Sequence, residues 1–125
     1  MTETLYQRIG EKGLESLLNK FYDCVFSNDI LLPLFNNTDR DIIQRKQLMF
    51  LSQFLGGPLL YTNTYGAPQM RQRHLPHVIT PKGKDAWLLC MKRAVNEQDW
   101  DDRLKDVIYN IFPPIANHMI NSSDN

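Results

Sequence analysis

The stretch Lys12-Gly13-Leu14-Glu15-Ser16-Leu17-Leu18-Asn19-Lys20-Phe21-Tyr22-Asp23-Cys24-Val25-Phe26-Ser27 decides the fold class. Leu14, Leu17, Leu18, Phe21 and Val25 recur at i, i+3, i+4, i+7 and i+11, which draws one apolar stripe along a helix. Tyr22 lies beside that stripe, where its ring can be inside while its hydroxyl seeks a partner.

The same period continues downstream. Asn28 to Asn37 holds Pro33 and reads as a short turn of helix followed by a loop. Thr38-Asp39-Arg40-Asp41 has the form of a capping box and predicts a second long helix to about Leu55. Ile43, Gln47, Phe50, Leu51 and Phe54 form its inward face, and Gly56-Gly57-Pro58 stops it. From Leu59 to Thr80 the pattern is weak, with a short helix expected around Gln69 to Arg73. Thr80-Pro81 places a cap before a proline in the first turn and predicts a helix to about Asn96, burying Trp87, Leu88, Met91, Ala94 and Val95. Asp99 is the expected cap of the last helix, with Leu104, Val107, Ile108, Ile111 and Phe112 inside. Pro113-Pro114 must interrupt it, because each ring removes a backbone donor and crowds the preceding turn; Ile115 and Met119 then resume an apolar face. Asn121 to Asn125 reads as a frayed polar tail. No alternating run is long enough for a sheet, so the class is all-α.

At 125 residues the chain predicts a single domain, 1–125. Hydrophobic residues at 42% against charged residues at 22% allow one real core without disulfide staples. Fourteen Lys plus Arg against fourteen Asp plus Glu give a net charge of +0, which argues against general nucleic-acid binding. Cys24 and Cys90 form no CxxC pair and are expected to be free thiols. The first residues lack a basic and apolar leader, and no apolar run approaches ~18 residues, so the expectation is a cytoplasmic protein with no membrane span.

The chemistry concentrates in Met70-Arg71-Gln72-Arg73-His74-Leu75-Pro76-His77. A neutral imidazole is the usual axial ligand of haem iron, and neighbouring arginines can pair with propionates. The bland alternative is a solvated surface histidine near arginines. A zinc clip from His74 and His77 needs more ligands than the sequence offers, and Pro76 disfavours a regular helix between them.

The chain resembles the group II truncated haemoglobins, the short two-over-two globins. The resemblance runs from about Leu5 to Asn121 and rests on Leu5-Tyr6 with Ile9-Gly10, Phe21-Tyr22, Pro33-Leu34-Phe35, Gln53-Phe54-Leu55-Gly56-Gly57-Pro58 with Tyr61, Met70-Arg71 with Arg73-His74 and Pro76, and Asp85-Ala86-Trp87-Leu88 with Cys90-Met91. It implies a two-over-two helical sandwich around a b-type haem, held between the second long helix and the irregular segment. His74 matches the proximal iron ligand. Tyr22, Gln47 and Trp87 match the polar positions around bound ligand, Phe35 the aromatic packed on the haem, and Ile43 the distal gate. Lys46, Tyr61 and Arg73 match positions that hold propionates. Two departures stand out: His77 replaces a common phenylalanine and brings a second imidazole toward the haem edge, and Pro113-Pro114 breaks a helix that is usually continuous.

The function so implied is reversible binding of dioxygen, with carbon monoxide and nitric oxide as further ligands. The alternative is a haem redox enzyme acting on peroxide or nitric oxide. The sequence carries no nicotinamide or flavin fingerprint, so turnover requires an external reductase. A third reading, a helical module that has lost haem, is opposed by His74.

Overall fold

A computed structural model of the chain describes residues 3–35, 37–68 and 79–121. The helix that opens the chain, α1, spans Leu5–Val25 and so begins well before the Lys12 stripe predicts. Its start is a capping box at Thr4. The Thr4 hydroxyl accepts from the Gln7 amide at 3.1 Å, and the Gln7 carboxamide accepts from the Thr4 amide at 2.8 Å. Gly10, at φ 71° and ψ 168°, kinks the helix before the apolar stripe begins, a conformation open to glycine.

Asn28 turns the chain after α1, its side-chain oxygen accepting from the amides of Ile30 and Leu31 at 2.9 and 3.1 Å. A 3-10 turn over Leu32–Phe35 follows, as Pro33 suggests. Helix α2 spans Arg40–Phe54, and its cap is Asp39 rather than Thr38. The Asp39 carboxylate accepts from the amides of Asp41 and Ile42 at 2.9 and 3.3 Å. Beyond α2 the chain passes close under α1. A Cβ on Gly57 would fall 2.6 Å from Tyr6 Cγ and 2.7 Å from the Ser52 carbonyl oxygen, so only glycine fits there. The Tyr6 amide donates to the Leu55 carbonyl at 3.0 Å.

Helix α3, Leu60–Tyr65, falls in the weakly patterned region and was not expected. Its anchor is one side chain of α2. Gln53 donates to the Thr62 hydroxyl at 2.7 Å and accepts from the Thr62 amide at 2.9 Å. The expected helix around Gln69 to Arg73 lies outside the described residues.

Helix α4 spans Pro81–Asn96 behind the Thr80 cap, whose hydroxyl accepts from the Gly83 amide at 3.0 Å. Helix α5, Asp102–Tyr109, is capped by Asp101 and not by Asp99; the Asp101 carboxylate accepts from the Leu104 amide at 2.8 Å. Helix α6, Phe112–Met119, takes Pro113 and Pro114 in its first turn, where their missing donors have no intrahelical partner in any case. The interruption expected from the prolines is thus a helix boundary. Asn121 is not frayed: it exchanges bonds with Ile79, accepting from the Ile79 amide at 2.9 Å and donating its own amide to Ile79 O at 3.0 Å. No strand occurs among the described residues.

The core sits between α1 and α4, with α2 and the end of the chain closing it. Leu14, Leu17, Leu18, Phe21 and Val25 are buried against Cys90, Met91, Ala94, Val95 and Ile108. Two expected core residues are outside it, Phe54 and Val107, at 45% and 43% exposure. The free-thiol expectation is also corrected: Cys24 and Cys90 form a disulfide. Packing of α1 on α4 brings their Cα atoms to 5.4 Å, inside the bridging range. A separation of 66 residues leaves no trace of that proximity in the sequence.

Candidate functional site

A cavity of about 290 Å³ opens between α1, α2, α4 and α6. Tyr22, Phe35, Ile43, Lys46, Gln47, Tyr61 and Trp87, seven of the residues singled out in the sequence, all line it. Arg73, His74 and His77 lie outside the described residues.

Helix geometry explains how they converge. Ile43 and Gln47 are one turn apart on α2, so both face inward. Tyr22 comes from α1 and Trp87 from α4, and Phe21 lies between them with ring centroids 4.9 Å and 5.0 Å away, edge to face with both. Phe112 backs Trp87 at 5.7 Å, and Phe35 meets the edge of Tyr22 at 6.5 Å. The rings hold one another in place. Tyr61 is delivered by α3 through the Gln53–Thr62 tie and packs on Phe50 at 5.8 Å. Lys46 stands over the Tyr65 ring at 4.9 Å from its centroid.

Among the polar groups that line this cavity, Tyr22, Gln47 and Trp87 come from three different helices. Tyr22 is 2% exposed, and burial pushes its phenol above the ordinary range, with the Arg40 charge opposing that rise. Among the described residues, no protein group hydrogen-bonds the Tyr22 hydroxyl, the Gln47 amide or the Trp87 indole N–H. Each is a donor, and a small polar ligand in the cavity has all three within its walls.

Lys84 escaped the sequence reading. It lines the cavity with Lys46 and pairs with Asp85 at 2.8 Å. The signal was present, since Lys84, Trp87 and Met91 recur at i, i+3 and i+7 on α4. Leu31, Ile115 and Met119 complete the apolar walls. The chemistry fits a flat apolar macrocycle carrying carboxylates: aromatic and aliphatic walls, two ammonium groups, and hydrogen-bond donors in the lining. No group of three or more His, Cys, Asp or Glu that would hold a bare metal ion occurs among the described residues.

Comparison with known proteins agrees. The family model of the bacterial-like globins matches residues 4–121. The group 2 truncated hemoglobin YjbI of Bacillus subtilis is 40% identical over 119 residues, covering 95% of this chain and 89% of that protein. The crystal structure of the group II truncated hemoglobin from Bacillus anthracis superposes with a TM-score of 0.94 at 37% identity, covering 100% of this chain and 96% of the other. The X-ray structure of the truncated oxygen-avid haemoglobin from Bacillus subtilis gives a TM-score of 0.90 at 40% identity, with 95% and 100% covered. The chain belongs to the bacterial-like globin family as a group II truncated haemoglobin, and its cofactor is haem b.

Proposed function

We propose that the protein binds dioxygen reversibly, and carbon monoxide and nitric oxide as well, in the cavity lined by Tyr22, Gln47 and Trp87. The observation that carries this reading is the convergence of those three donors, from three helices, with no protein partner among the described residues. Haem b supplies an iron centre at which a diatomic gas coordinates. His74 is the proximal ligand in this reading, Ile43 the apolar gate, and Phe35 the aromatic wall against the macrocycle. Lys46, Tyr61 and Arg73 take the propionates, with Lys84 as a further cation in the lining and His77 as a second imidazole near the haem edge. The whole chain, 1–125, acts as one globin domain in the cytoplasm.

The donors act through electrostatics. A hydroxyl, an amide and an indole N–H held in a water-poor pocket would stabilise a polarised oxygen ligand there more than bulk water does. Carbon monoxide is less polarised and gains less from the same groups. The Bacillus subtilis relative is oxygen-avid, which supports a retentive rather than a leaky pocket. No helix is long and apolar enough to cross a membrane among the described residues.

An optical spectrum of the purified protein in ferric, ferrous and carbonyl forms, with stopped-flow oxygen displacement, tests the proposal. A Soret band and full reversibility over repeated oxygen cycles are the expected result. Steady peroxide turnover outpacing oxygen exchange replaces it by a redox catalyst fed by an external reductase.

A further inference from the structure

Outside the cavity, where the second half of α1 meets the start of α2, a polar cluster covers the aromatic residues of the distal wall. The Arg40 guanidinium is its centre. Nη2 donates to the Asp23 carboxylate at 2.7 Å and to the Asn19 carbonyl at 3.1 Å. Nε donates to the Gln44 side-chain oxygen at 3.4 Å, and the Gln44 amide donates to the Asn19 side chain. One side chain of α2 is thereby tied to two successive turns of α1.

The same guanidinium stands over the Phe26 ring, 5.9 Å from its centroid. Phe26 in turn lies 5.6 Å from Phe35 and 6.2 Å from Tyr22. Along the chain Arg40 sits between Thr38 and Ile43, both of which line the cavity, and Ile43 is the next inward residue on its own helix face. The cluster therefore lies over the seam between α1 and α2 at the end of the cavity where the gate residue stands.

We infer that Arg40 is a positioning residue of the distal site: with Asp23 it latches the start of α2 to α1 and closes the seam through which a diatomic ligand passes Ile43. This rests on the gas-binding reading above and names a control point for it. Arg40 makes no contact with the ligand. It fixes the separation of the helices that carry Tyr22 on one side and Ile43 and Gln47 on the other. Arg40 is 34% and Asp23 63% exposed on their side chains, so salt weakens the latch, and thermal opening of a partly solvated pair is fast enough to admit ligand.

Flash photolysis of the carbon monoxide complex of the haem-loaded protein is the test, because it separates escape from return. Arg40→Met, which keeps the stem over Phe26 but removes the charge and donors, and Asp23→Asn, which keeps the shape, are each compared with wild type and with the double variant. Each single variant is expected to speed bimolecular carbon monoxide binding by about two- to tenfold, the range set by losing one partly exposed charge-assisted bond, and to lower the geminate fraction. The double variant should match the larger single effect, since both residues make one latch. Added sodium chloride should move wild type in the same direction and leave Arg40→Met unchanged. Unaltered geminate and bimolecular phases in both variants, or effects that simply add, overturn the latch. A wild-type protein that takes up no haem overturns the gas-binding reading instead; the latch is then read by amide exchange over Arg40 to Gln47, where equal rates in wild type and Arg40→Met overturn it.

Discussion

Helices α1 and α2 both carry an apolar stripe, weaker on α2, and they are finished in different ways. Helix α1 buries Ile9, Leu14, Leu17, Leu18, Phe21, Tyr22 and Val25, and a disulfide ties it to α4. Helix α2, at 15 residues, fully buries only Leu51 and Ser52. Ile43, Gln47 and Phe50 point inward but remain partly exposed, because what they face is the cavity. A stripe of apolar residues thus says that a helix face is destined for burial, not what will bury it. For most of α1 the occupant of the facing surface is the chain itself, and only Leu18, Phe21 and Tyr22 reach the cavity. For α2 it is the cavity, which in the proposed reading takes the cofactor.

The sharpest way to break that contrast is to remove the cofactor. His74→Ala is expected to lose most of its haem, because His74 is the proximal ligand in the proposed reading. A ligand present at about a thousandfold over its dissociation constant contributes about 4 kcal/mol to the folded state. The loss should fall on α2, with amide exchange rising there by up to about a thousandfold and rising much less in α1 and α4. Haem content, the Soret band and residue-resolved exchange measure it. Equal loosening of α1 and α2 shows that the two helices are completed alike.

The next largest effect belongs to the covalent side. Closing a loop of 66 residues' separation removes enough unfolded-state entropy to stabilise a domain by about 4 kcal/mol in the chain-entropy account. Cys24→Ala with Cys90→Ala should lower the denaturant midpoint accordingly, while the ferrous carbonyl spectrum stays close to wild type. An unchanged midpoint under oxidising conditions removes the brace from the argument and leaves packing alone to distinguish α1.

How much of this was legible follows the same divide. Local signals were readable: the stripe on α1, the Thr80-Pro81 start, the Gly56-Gly57 stop and the Pro113-Pro114 break all act within a turn or two of the chain. The candidate site was readable mainly through resemblance, since Tyr22, Gln47 and Trp87 sit on three helices and no spacing links them. What escaped were long-range facts. The Cys24–Cys90 bridge depends on how α1 crosses α4, and the Gln53–Thr62 tie that creates α3 depends on a turn with weak pattern. The caps were missed for a smaller reason: Thr38 and Asp39, like Asp99 and Asp101, are competing acceptors close together, and the backbone decides which reaches the free amides.

A moderate effect is expected at the cavity itself, where α1 and α4 contribute one donor each. Losing one hydrogen bond to a partly charged acceptor costs roughly 0.5–1.5 kcal/mol or somewhat more. Tyr22→Phe and Trp87→Phe should each speed oxygen release by about three- to tenfold and change carbon monoxide release far less. Their effects should not add, because both donors serve one small ligand and can reorganise around it. Stopped-flow oxygen displacement on the singles and the double measures this. Oxygen release unchanged in both singles makes these residues part of the closed core of α1 and α4 rather than of the site.

The smallest expected effect lies where the two helices meet. Ser52 is one of the two fully buried residues of α2, at 0% exposure, and among the described residues its hydroxyl has no hydrogen-bond partner. Its carbonyl is engaged, accepting from the Gly57 amide at 2.7 Å, so the backbone at this turn is fixed while the side chain is not satisfied. Leaving a buried hydroxyl unpaired costs about 1–3 kcal/mol, and alanine is also the better helix former by a few tenths. Against this stands the small void left when one oxygen is removed from a packed site. The balance favours Ser52→Ala by about 1 kcal/mol, measured as a rise in denaturant midpoint in both the haem-loaded and haem-free protein. The change should be equal in the two forms, because Ser52 is buried and does not line the cavity. A gain confined to the haem-loaded form would tie this turn to the cofactor after all and erase the boundary drawn between the two ends of α2.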